Sequence, residues 1–385
     1  MKFIDWFAGI GGFRRGMELA GHECVGFCEF DKYAVASYTA MHLCTQEQLD
    51  YLATLPLKKR QKEILKEQYR NGEWYANDVR SVDARSIPDA ECWCFGFPCQ
   101  DISVAGKQLG FTGNRSSLFF RVMYMVGQLE EEKKPTYLFI ENVKNLLSVN
   151  GGWDFARLLS ELDKNGYDAE WQVLNSKYFG VPQNRERCFI IGHLRGRSRS
   201  EVFPVEGTDG ADNIYGIGHR NGYRRNTQIY KHCNMTDTVP TLRSESHGNQ
   251  PKAVLEVEVK EATKQGYAVA RGWVDSVNFT MPGSKTRRGR VGVDMANTLD
   301  TSCNQGIFVE ISPSLTVYAI WYPKKQCYIA IRKLTPKECF RLQGWTDDYF
   351  AKAQLVNSDS QLYKQAGNGV TVNVIYEIAR RLKND

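Results

Sequence analysis

Short apolar runs alternate with amphipathic segments along the first half of the chain. The runs with the length and character of buried strands lie at residues 2–6, 24–28, 92–95, 137–140 and 188–191. Helical periodicity is clearest between them, at residues 13–20, 119–132 and 155–165. Strands that alternate with helices predict an α/β fold with a doubly wound, mostly parallel sheet.

Two regions depart from this alternation. Residues 45–71 are charged and favour helix, which predicts a helical insertion at the surface. After Leu194 the chain is rich in Gly, Asn, Thr, Arg and Ser, and α/β character returns only after Arg332. We therefore predict a larger domain formed by residues 1–194 plus 332–385, with a small, irregular, β-rich domain inserted at residues 195–331.

Composition places the chain among ordinary globular proteins. Of its 385 residues, 42% are apolar and 24% are charged. No apolar stretch approaches the ~20 residues needed to span a bilayer, and the N-terminus has no signal-peptide pattern. We expect a cytoplasmic monomer with no membrane partner.

The eleven cysteines are scattered, with no Cys-x-x-Cys pair. Reduced thiols are therefore expected rather than a disulfide framework. Cys92, Cys94 and Cys99 lie close together, but the first two alternate in a predicted strand, where buried structural cysteine is common. We predict no metal site.

The net charge of +6 favours a polyanionic partner. Basic residues concentrate in the predicted inserted domain, where several clusters together favour contact with phosphates. These clusters are Arg195, Arg197 and Arg199; Arg220, Arg224 and Arg225; and Lys285, Arg287, Arg288 and Arg290.

A glycine-rich turn, Phe7-Ala8-Gly9-Ile10-Gly11-Gly12, follows the first predicted strand. At the carboxyl end of a strand in such a sheet, this turn lets a ligand approach the backbone closely. Its spacing is shorter than the dinucleotide pattern Gly-x-Gly-x-x-Gly. Glu29, at the end of the second strand, can accept the hydroxyls of a ribose, and Asp78 an adenine amino group. Two acids without a nearby lysine suit S-adenosylmethionine better than NAD or ATP, although ordinary helix capping is the alternative for both acids.

A second set of residues has the chemistry of nucleophilic attack. Cys99 lies in Gly96-Phe97-Pro98-Cys99-Gln100, Glu141 in Glu141-Asn142-Val143, and paired arginines in Gln183-Asn184-Arg185-Glu186-Arg187. A thiolate that adds to C6 of cytosine makes C5 enamine-like if N3 is protonated or strongly hydrogen-bonded, and a carboxyl group can supply that proton.

In their order, these motifs resemble the bacterial and phage-type DNA (cytosine-5)-methyltransferases. The resemblance covers nearly the whole length, apart from about residues 45–75 and 195–331, and includes late motifs at 332–345 and 365–374. It implies a Rossmann-like, S-adenosyl-L-methionine-dependent catalytic domain and a target-recognition domain at 195–331. The implied reaction is site-specific methylation of a cytosine flipped out of double-stranded DNA, in a protein related to restriction–modification systems.

The resemblance also implies site residues. The catalytic residues are expected to be Cys99, Glu141, Arg185 and Arg187, with Arg187 facing the cytosine and Arg185 the catalytic pocket. The cofactor is expected to contact Phe7, Ala8, Gly9, Gly11, Gly12, Glu29, Phe30, Asp78, Val79, Pro98 and Asn368. DNA contacts are expected from Gln100, Ser103, Arg115, Arg243, Thr298 and Leu299. One departure is Gly369, where the family often has serine.

Other function classes stay open at this point. Relatives that methylate tRNA share these motifs, but their insert is shorter than the long basic region here. A non-catalytic DNA-binding relative would have lost Cys99 or Glu141, and both are present. A thiol-based amidotransferase or protease would need a histidine partner, and none of the six histidines lies in an equivalent motif.

Overall fold

A mixed seven-stranded sheet organises the larger part of the molecule. The computed structural model describes residues 1–97, 117–197, 201–207, 256–260, 267–271, 275–278, 290–301, 305–310, 320–322 and 327–383. The sheet contains β1 (Lys2–Trp6), β2 (Glu23–Cys28), β3 (Trp74–Ala76), β4 (Cys92–Gly96), β5 (Tyr137–Val143), β6 (Tyr167–Asn175) and β8 (Glu186–Leu194), in the order β3-β2-β1-β4-β5-β8-β6. Within it β8 runs antiparallel to both of its neighbours, and the other described pairs are parallel. The predicted doubly wound, mostly parallel sheet is confirmed.

Side chains alternate between the two faces of the sheet, as the twofold period of a strand requires. Ile4 and Trp6 of β1 belong to one buried cluster, which also receives the helices of residues 117–128 and 153–164. Phe3 belongs to the cluster on the opposite face, which receives the first and last helices. Both faces are therefore covered, as expected for strands that are apolar on both sides.

Helices are found at the three positions predicted from periodicity, residues 13–20, 119–132 and 155–165, and at further positions. They are α1 (Gly12–Leu19), α2 (Lys32–Tyr38), α3 (Gln46–Thr54), α4 (Leu57–Glu63), α5 (Ser117–Gln128), α6 (Trp153–Lys164), α7 (Pro336–Arg341), α8 (Asp347–Val356), α9 (Asp359–Asn368) and α10 (Val372–Ala379). A π-helix, Thr39–Leu43, continues α2. No helix in the described ranges is long and apolar enough to cross a membrane.

The predicted helical insertion forms α3 and α4 and then joins the sheet through β3, an edge strand that the sequence did not predict. β6 was also missed. It is the opposite edge strand, and polar residues alternate along it, so it lacks the apolar run of a central strand.

The described residues of the inserted region are β-rich, as predicted. The strands are β9 (Glu256–Lys260), β10 (Tyr267–Arg271), β11 (Ser276–Asn278), β12 (Arg290–Gly292), β14 (Gln305–Glu310), β15 (Ile320–Tyr322) and β16 (Cys327–Lys333). Five of them form an antiparallel sheet with the order β12-β11-β14-β16-β15, and β9 pairs with β10. Since β16 runs unbroken from 327 to 333, it crosses the boundary predicted after residue 331; the division into two domains stays a prediction.

A short parallel pair joins the two regions. β7 (Gln183–Asn184) pairs with β13 (Ala296–Asn297), and the Thr298 hydroxyl donates to the Asn184 carbonyl at 2.7 Å. The arginine motif that begins at Gln183 is thereby attached to the segment that leads to Leu299.

The first and last helices pack at close range. A Cβ added at Gly12 would lie 2.6 Å from Val370 Cγ2, and one at Gly16 would lie 2.5 Å from Ile375 Cβ. Glycine at both positions allows α1 to approach residues 370–376 this closely.

Candidate active site

The predicted site residues that the structure describes gather at one edge of the sheet. The glycine turn follows β1, Glu29 follows β2, Asp78 lies two residues after β3, and Glu141 lies in the last part of β5. Since β1, β2, β3 and β5 are parallel, their carboxyl ends share this edge, which is where ligands bind in open α/β sheets.

The turn after β1 has a backbone path that needs glycine. Gly9 and Gly11 have φ values of 57° and 82°, and Phe7 has a positive φ of 54°. The Gly11 N–H donates to the Ala8 carbonyl at 2.8 Å. A Cβ at Gly9 would meet no atom within 4 Å, so this part of the turn faces open space where a ligand can approach the backbone.

Glu29 is fixed by backbone donors. One carboxylate oxygen accepts from the Gly9 N–H at 2.8 Å, and the other from the Asp31 N–H at 2.7 Å. Burial raises the pKa of Glu29, while these two hydrogen bonds act in the opposite direction. The acid thus clamps the glycine turn to the end of β2.

Three further candidate cofactor contacts come shortly after β2 and β3. Phe30 is 65% exposed, and the Arg80 guanidinium lies 6.0 Å from its ring centroid. Asp78 is paired with Arg80 at 2.6 Å, which lowers the pKa of the Asp78 carboxyl. Val79 is buried in the core cluster that also contains Ile4 and Trp6.

Glu141 is buried and paired with Arg187. Its Oε1 lies 3.0 Å from Arg187 Nε, and both side chains are mostly shielded from solvent. Burial raises the pKa of Glu141, and the positive charges of Arg187 and Arg185 act against that rise. A buried carboxyl group with a raised pKa keeps a larger protonated fraction near neutral pH, as a proton donor requires.

The end of β4 is built against this acid. Gly96 is the register partner of Glu141, and a Cβ at Gly96 would lie 3.0 Å from Glu141 Oε2. The Asn142 amide donates to the Phe97 carbonyl at 3.0 Å. Glu141 and Asn142 therefore line the point where the chain enters the segment that contains Cys99.

A family comparison agrees with this geometry. The model of the C-5 cytosine-specific DNA methylase family matches residues 1–53 and 45–384. The chain belongs to this family. It is a DNA (cytosine-5)-methyltransferase.

Relatives of this methyltransferase resemble it along almost its whole length. It is 28% identical over 414 residues to the type II methyltransferase M2.ScrFI of Lactococcus lactis subsp. cremoris, covering 99% of both chains. It is 29% identical over 380 residues to M.HhaI of Haemophilus parahaemolyticus, covering 98% of this chain and 93% of the relative. It is 26% identical over 460 residues to the orphan methyltransferase M.SPRI of Bacillus phage SPR, covering 99% and 97%.

Solved structures share the fold. Dnmt2 of S. pombe superposes with a TM-score of 0.55 at 14% identity, covering 98% of this chain and 97% of the other. A putative DNA modification methyltransferase from an E. coli prophage gives a TM-score of 0.51 at 17% identity, covering 99% and 98%.

Arg185 lies differently from Arg187 in the methyltransferase. It is 3% exposed, and its guanidinium donates to backbone carbonyls of Leu299 at 3.3 Å, Gly367 at 3.2 Å and Gly369 at 2.8 Å. The positive charge of Arg185 opposes the rise in the pKa of Glu141. Its hydrogen bonds connect the arginine motif to the segment that contains Leu299 and to the glycines of the late motif. Arg185 thus ties three backbone carbonyls together close to Glu141, and its expected place facing the catalytic pocket stays a prediction.

Thr298 and Leu299, expected as DNA contacts, are tied to the arginine motif. The Leu299 side chain is 2% exposed and packs in a core cluster, and its backbone N–H donates to Gln183 Oε1 at 3.2 Å. The Leu299 side chain is thus part of the protein core, and the DNA contacts expected of Thr298 and Leu299 stay predictions. The Thr298 hydroxyl donates its hydrogen to the backbone carbonyl of Asn184.

The late motif reaches the same edge. Asn368, at the end of α9, is exposed, and Gly369 follows it with an extended backbone. The remaining predicted site residues lie outside the described residues: Pro98, Cys99, Gln100, Ser103, Arg115 and Arg243. Among the residues that the structure does describe, no group of three or more His, Cys, Asp or Glu side chains has an arrangement that could hold a metal ion.

Sequence reasoning missed two side chains that support the glycine turn. Asp5 is fully buried and accepts from the Arg14 N–H at 3.3 Å, in the first turn of α1; burial raises its pKa well above the usual value. The sequence did contain a signal for Asp5, because it is a single acidic residue within an apolar predicted strand. The second is His42, whose Nε2 lies 3.0 Å from the Ile10 carbonyl oxygen. No pattern in the sequence indicated this residue.

Proposed function

We propose that this DNA (cytosine-5)-methyltransferase binds S-adenosyl-L-methionine at the turn after β1 and methylates a cytosine flipped out of double-stranded DNA, with Cys99 as the nucleophile. The observation that carries the proposal is the arrangement at the end of β4, where the chain enters the Cys99 segment against the buried Glu141–Arg187 pair.

The turn and its acids fit the cofactor chemically. The open backbone at Gly9 suits close approach by the methionine part, and Glu29 retains acceptor capacity for ribose hydroxyls beside its two backbone donors. The exposed Phe30 ring suits stacking on an adenine. Asp78 would need to exchange part of its pairing with Arg80 for the adenine amino group. When bound, S-adenosylmethionine supplies an electrophilic methyl group.

The protein residues divide the remaining work. The Cys99 thiolate forms a bond from Sγ to C6 of cytosine, while Glu141 protonates or hydrogen-bonds N3, so that the electron pair moves to C5. Arg187 holds the Glu141 carboxyl in place at 3.0 Å. After C5 gains the methyl group, N3 returns its proton to Glu141. A water molecule then accepts the C5 proton, and the electron pair left at C5 re-forms the C5–C6 double bond as the Sγ–C6 bond breaks, which restores both the aromatic ring and the thiolate.

Double-stranded DNA is the proposed substrate, and residues 195–331 the proposed target-recognition domain. The net charge of +6 and the arginine clusters of that region support phosphate contact. Several relatives are named type II methyltransferases, whereas M.SPRI is named an orphan. We propose a relationship to restriction–modification systems without requiring a partner nuclease.

Trapping tests the mechanism without knowledge of the target sequence. Duplex DNA synthesised with 5-fluorocytosine at every cytosine is incubated with S-adenosylmethionine and the protein. Fluorine cannot leave C5 as a proton does, so wild type should form an adduct that survives a denaturing gel. Cys99→Ala should form none while still binding S-adenosylmethionine.

Cys44→Ala is the matched control, because burial raises the pKa of the Cys44 thiol to about 12 and keeps it unreactive. It should form the adduct as wild type does. Absence of an adduct with wild type, or an adduct with Cys99→Ala, would refute the role of Cys99. Bisulfite sequencing of DNA and tRNA from expressing cells then identifies the substrate and the target sequence.

A further inference from the structure

The π-helix Thr39–Leu43 places one histidine against the glycine turn. The π register is seen where the Cys44 N–H donates to the Thr39 carbonyl, five residues earlier, at 3.0 Å. Single π turns inside helices occur often at functional sites. Here the wider turn brings His42 Nε2 to 3.0 Å from the carbonyl oxygen of Ile10, in the middle of the turn between Gly9 and Gly11.

The His42 ring fills the space that a side chain at residue 11 would need. A Cβ built on Gly11 would clash with His42 Nε2 and would lie 3.0 Å from the Tyr38 ring. On its other sides the imidazole lies among aromatic rings, with centroid distances of 4.8 Å to Tyr38, 5.9 Å to Trp345 and 5.5 Å to Tyr349. The ring is therefore held from several elements and has little freedom to turn away.

The chemistry of the contact fixes the tautomer. A carbonyl oxygen only accepts hydrogen bonds, so Nε2 must carry the proton. His42 Nδ1 is buried and has no hydrogen-bond partner among the described residues. An unprotonated nitrogen loses less free energy in such a position than an N–H donor or a charged ring would. Burial, with Arg14 next in effect, also lowers the pKa of His42 well below its ordinary value, which keeps the ring neutral.

Two other contacts hold the turn, and each acts at a different residue. Glu29 accepts from Gly9, and the Ala8 N–H donates to the Cys28 carbonyl at 3.0 Å. The Ile10 carbonyl faces the π-helix instead. We propose that His42 is a positioning residue for cofactor binding: its Nε2–H holds the Ile10 carbonyl and thereby sets the turn of residues 7–12 in the shape that receives S-adenosylmethionine.

This inference rests on the proposed cofactor site. Matched substitutions at His42 and at a control residue, His22, test it. His42→Phe keeps an aromatic ring but removes the donor, whereas His42→Gln places an amide N–H near the position of Nε2. His22 is the control, because its Nε2 also lies 3.0 Å from a backbone carbonyl, that of Ala379, at the far end of α1. His22→Phe removes the same kind of bond without touching the turn.

Calorimetric titration with S-adenosylmethionine and steady-state kinetics provide the readouts. His42→Phe should weaken cofactor binding about tenfold, the loss expected for one hydrogen bond, and leave kcat at saturating cofactor within about twofold. His42→Gln should recover binding to within about threefold of wild type, and His22→Phe should bind as wild type does. Unchanged binding by His42→Phe, or an equal loss in His22→Phe, would overturn the proposal.

A spectroscopic measurement separates this inference from the cofactor assignment. Nitrogen NMR of the ring reports which nitrogen of His42 carries the proton in the full-length protein. An Nε2–H tautomer is expected whether or not cofactor binds, and an Nδ1–H tautomer would refute the contact. If wild type binds no S-adenosylmethionine while the Nε2–H tautomer is found, the cofactor proposal fails and the role of His42 in cofactor binding fails with it.

Discussion

Glu29 and Glu141 lie at the same edge of one sheet, but they are held in different ways. Glu29 is partly exposed and Glu141 is buried. Both follow or end a parallel strand, and burial raises the pKa of each. Glu29 accepts from two backbone N–H groups, whereas Glu141 is paired with the Arg187 guanidinium. Backbone donors hold a carboxylate in place and cannot leave, which suits a binding contact. A side-chain cation can move with its partner, which suits a group that exchanges a proton.

The largest effect is expected at Glu141. Glu141→Gln should lower kcat about 10²- to 10⁴-fold with little change in cofactor affinity, because the amide cannot donate an acidic proton to N3. Single-turnover methylation and cofactor titration measure the two quantities. Glu186→Gln is the control, since Glu186 precedes Arg187 in the arginine motif but is exposed and pairs with Lys144. A loss below tenfold would assign Glu141 a structural role.

The same variant carries a pH signature. In wild type, activity should fall as pH rises through the raised pKa of Glu141, because the protonated form is the active one. Glutamine does not ionise, so the residual activity of Glu141→Gln should lack this descending limb. A descending limb of the same position in both proteins would assign the titration to another group.

An intermediate effect is expected at Glu29. Glu29→Gln removes the charge and replaces one acceptor oxygen with an NH₂ group, which leaves the N–H of Gly9 or Asp31 without its acceptor. Cofactor affinity should fall about ten- to a hundredfold, with kcat at saturation within about threefold. Glu23→Gln, at the exposed opposite end of β2, should bind as wild type does. A fall in kcat without a fall in affinity would remove the contrast between the two glutamates.

The smallest effect is expected at Gly369, whose carbonyl accepts from Arg185 and so connects the two ends of the site. A Cβ at residue 369 would lie 3.3 Å from the Gln365 carbonyl oxygen, so Gly369→Ser needs a shift of only a few tenths of an ångström. Cofactor affinity should change by less than about threefold and stability by about 0.5 kcal/mol.

Gly367→Ala is the contrasting control for this position, because its Cβ would clash with the Asp300 backbone. Thermal unfolding should show a clear loss for Gly367→Ala and almost none for Gly369→Ser. Equal losses would mean that residue 369, like residue 367, has no room for a side chain.

Local sequence signals predicted the parts of the site that local structure builds. The glycine turn and Glu29 directly follow strands, and Glu141 lies in the last part of one, so their position at one edge could be inferred from alternation alone. The antiparallel direction of β8 could not be predicted from the sequence, because a central strand is apolar in either orientation.

Contacts between residues far apart in the sequence could not be predicted from the sequence alone. The bonds from Arg185 to Leu299 and to Gly367 join residues 114 and 182 positions apart, and depend on how the two regions pack. Burial of Leu299 has the same origin: a Thr-Leu pair in a polar segment resembles an exposed loop until its partner Gln183 is known. The support of Ile10 by His42 depends on a π-helix, which has no signature in a single sequence.

The contact between the first and last helices also orders events during synthesis. The backbone of the glycine turn is completed within the first dozen residues, yet α1 rests on Val370 and Ile375. Synthesis must therefore pass residue 375 before α1 gains this contact. Until then the surface of α1 around Gly12 and Gly16 lacks its partner, so the glycine turn is complete in sequence long before the packing of α1 is complete.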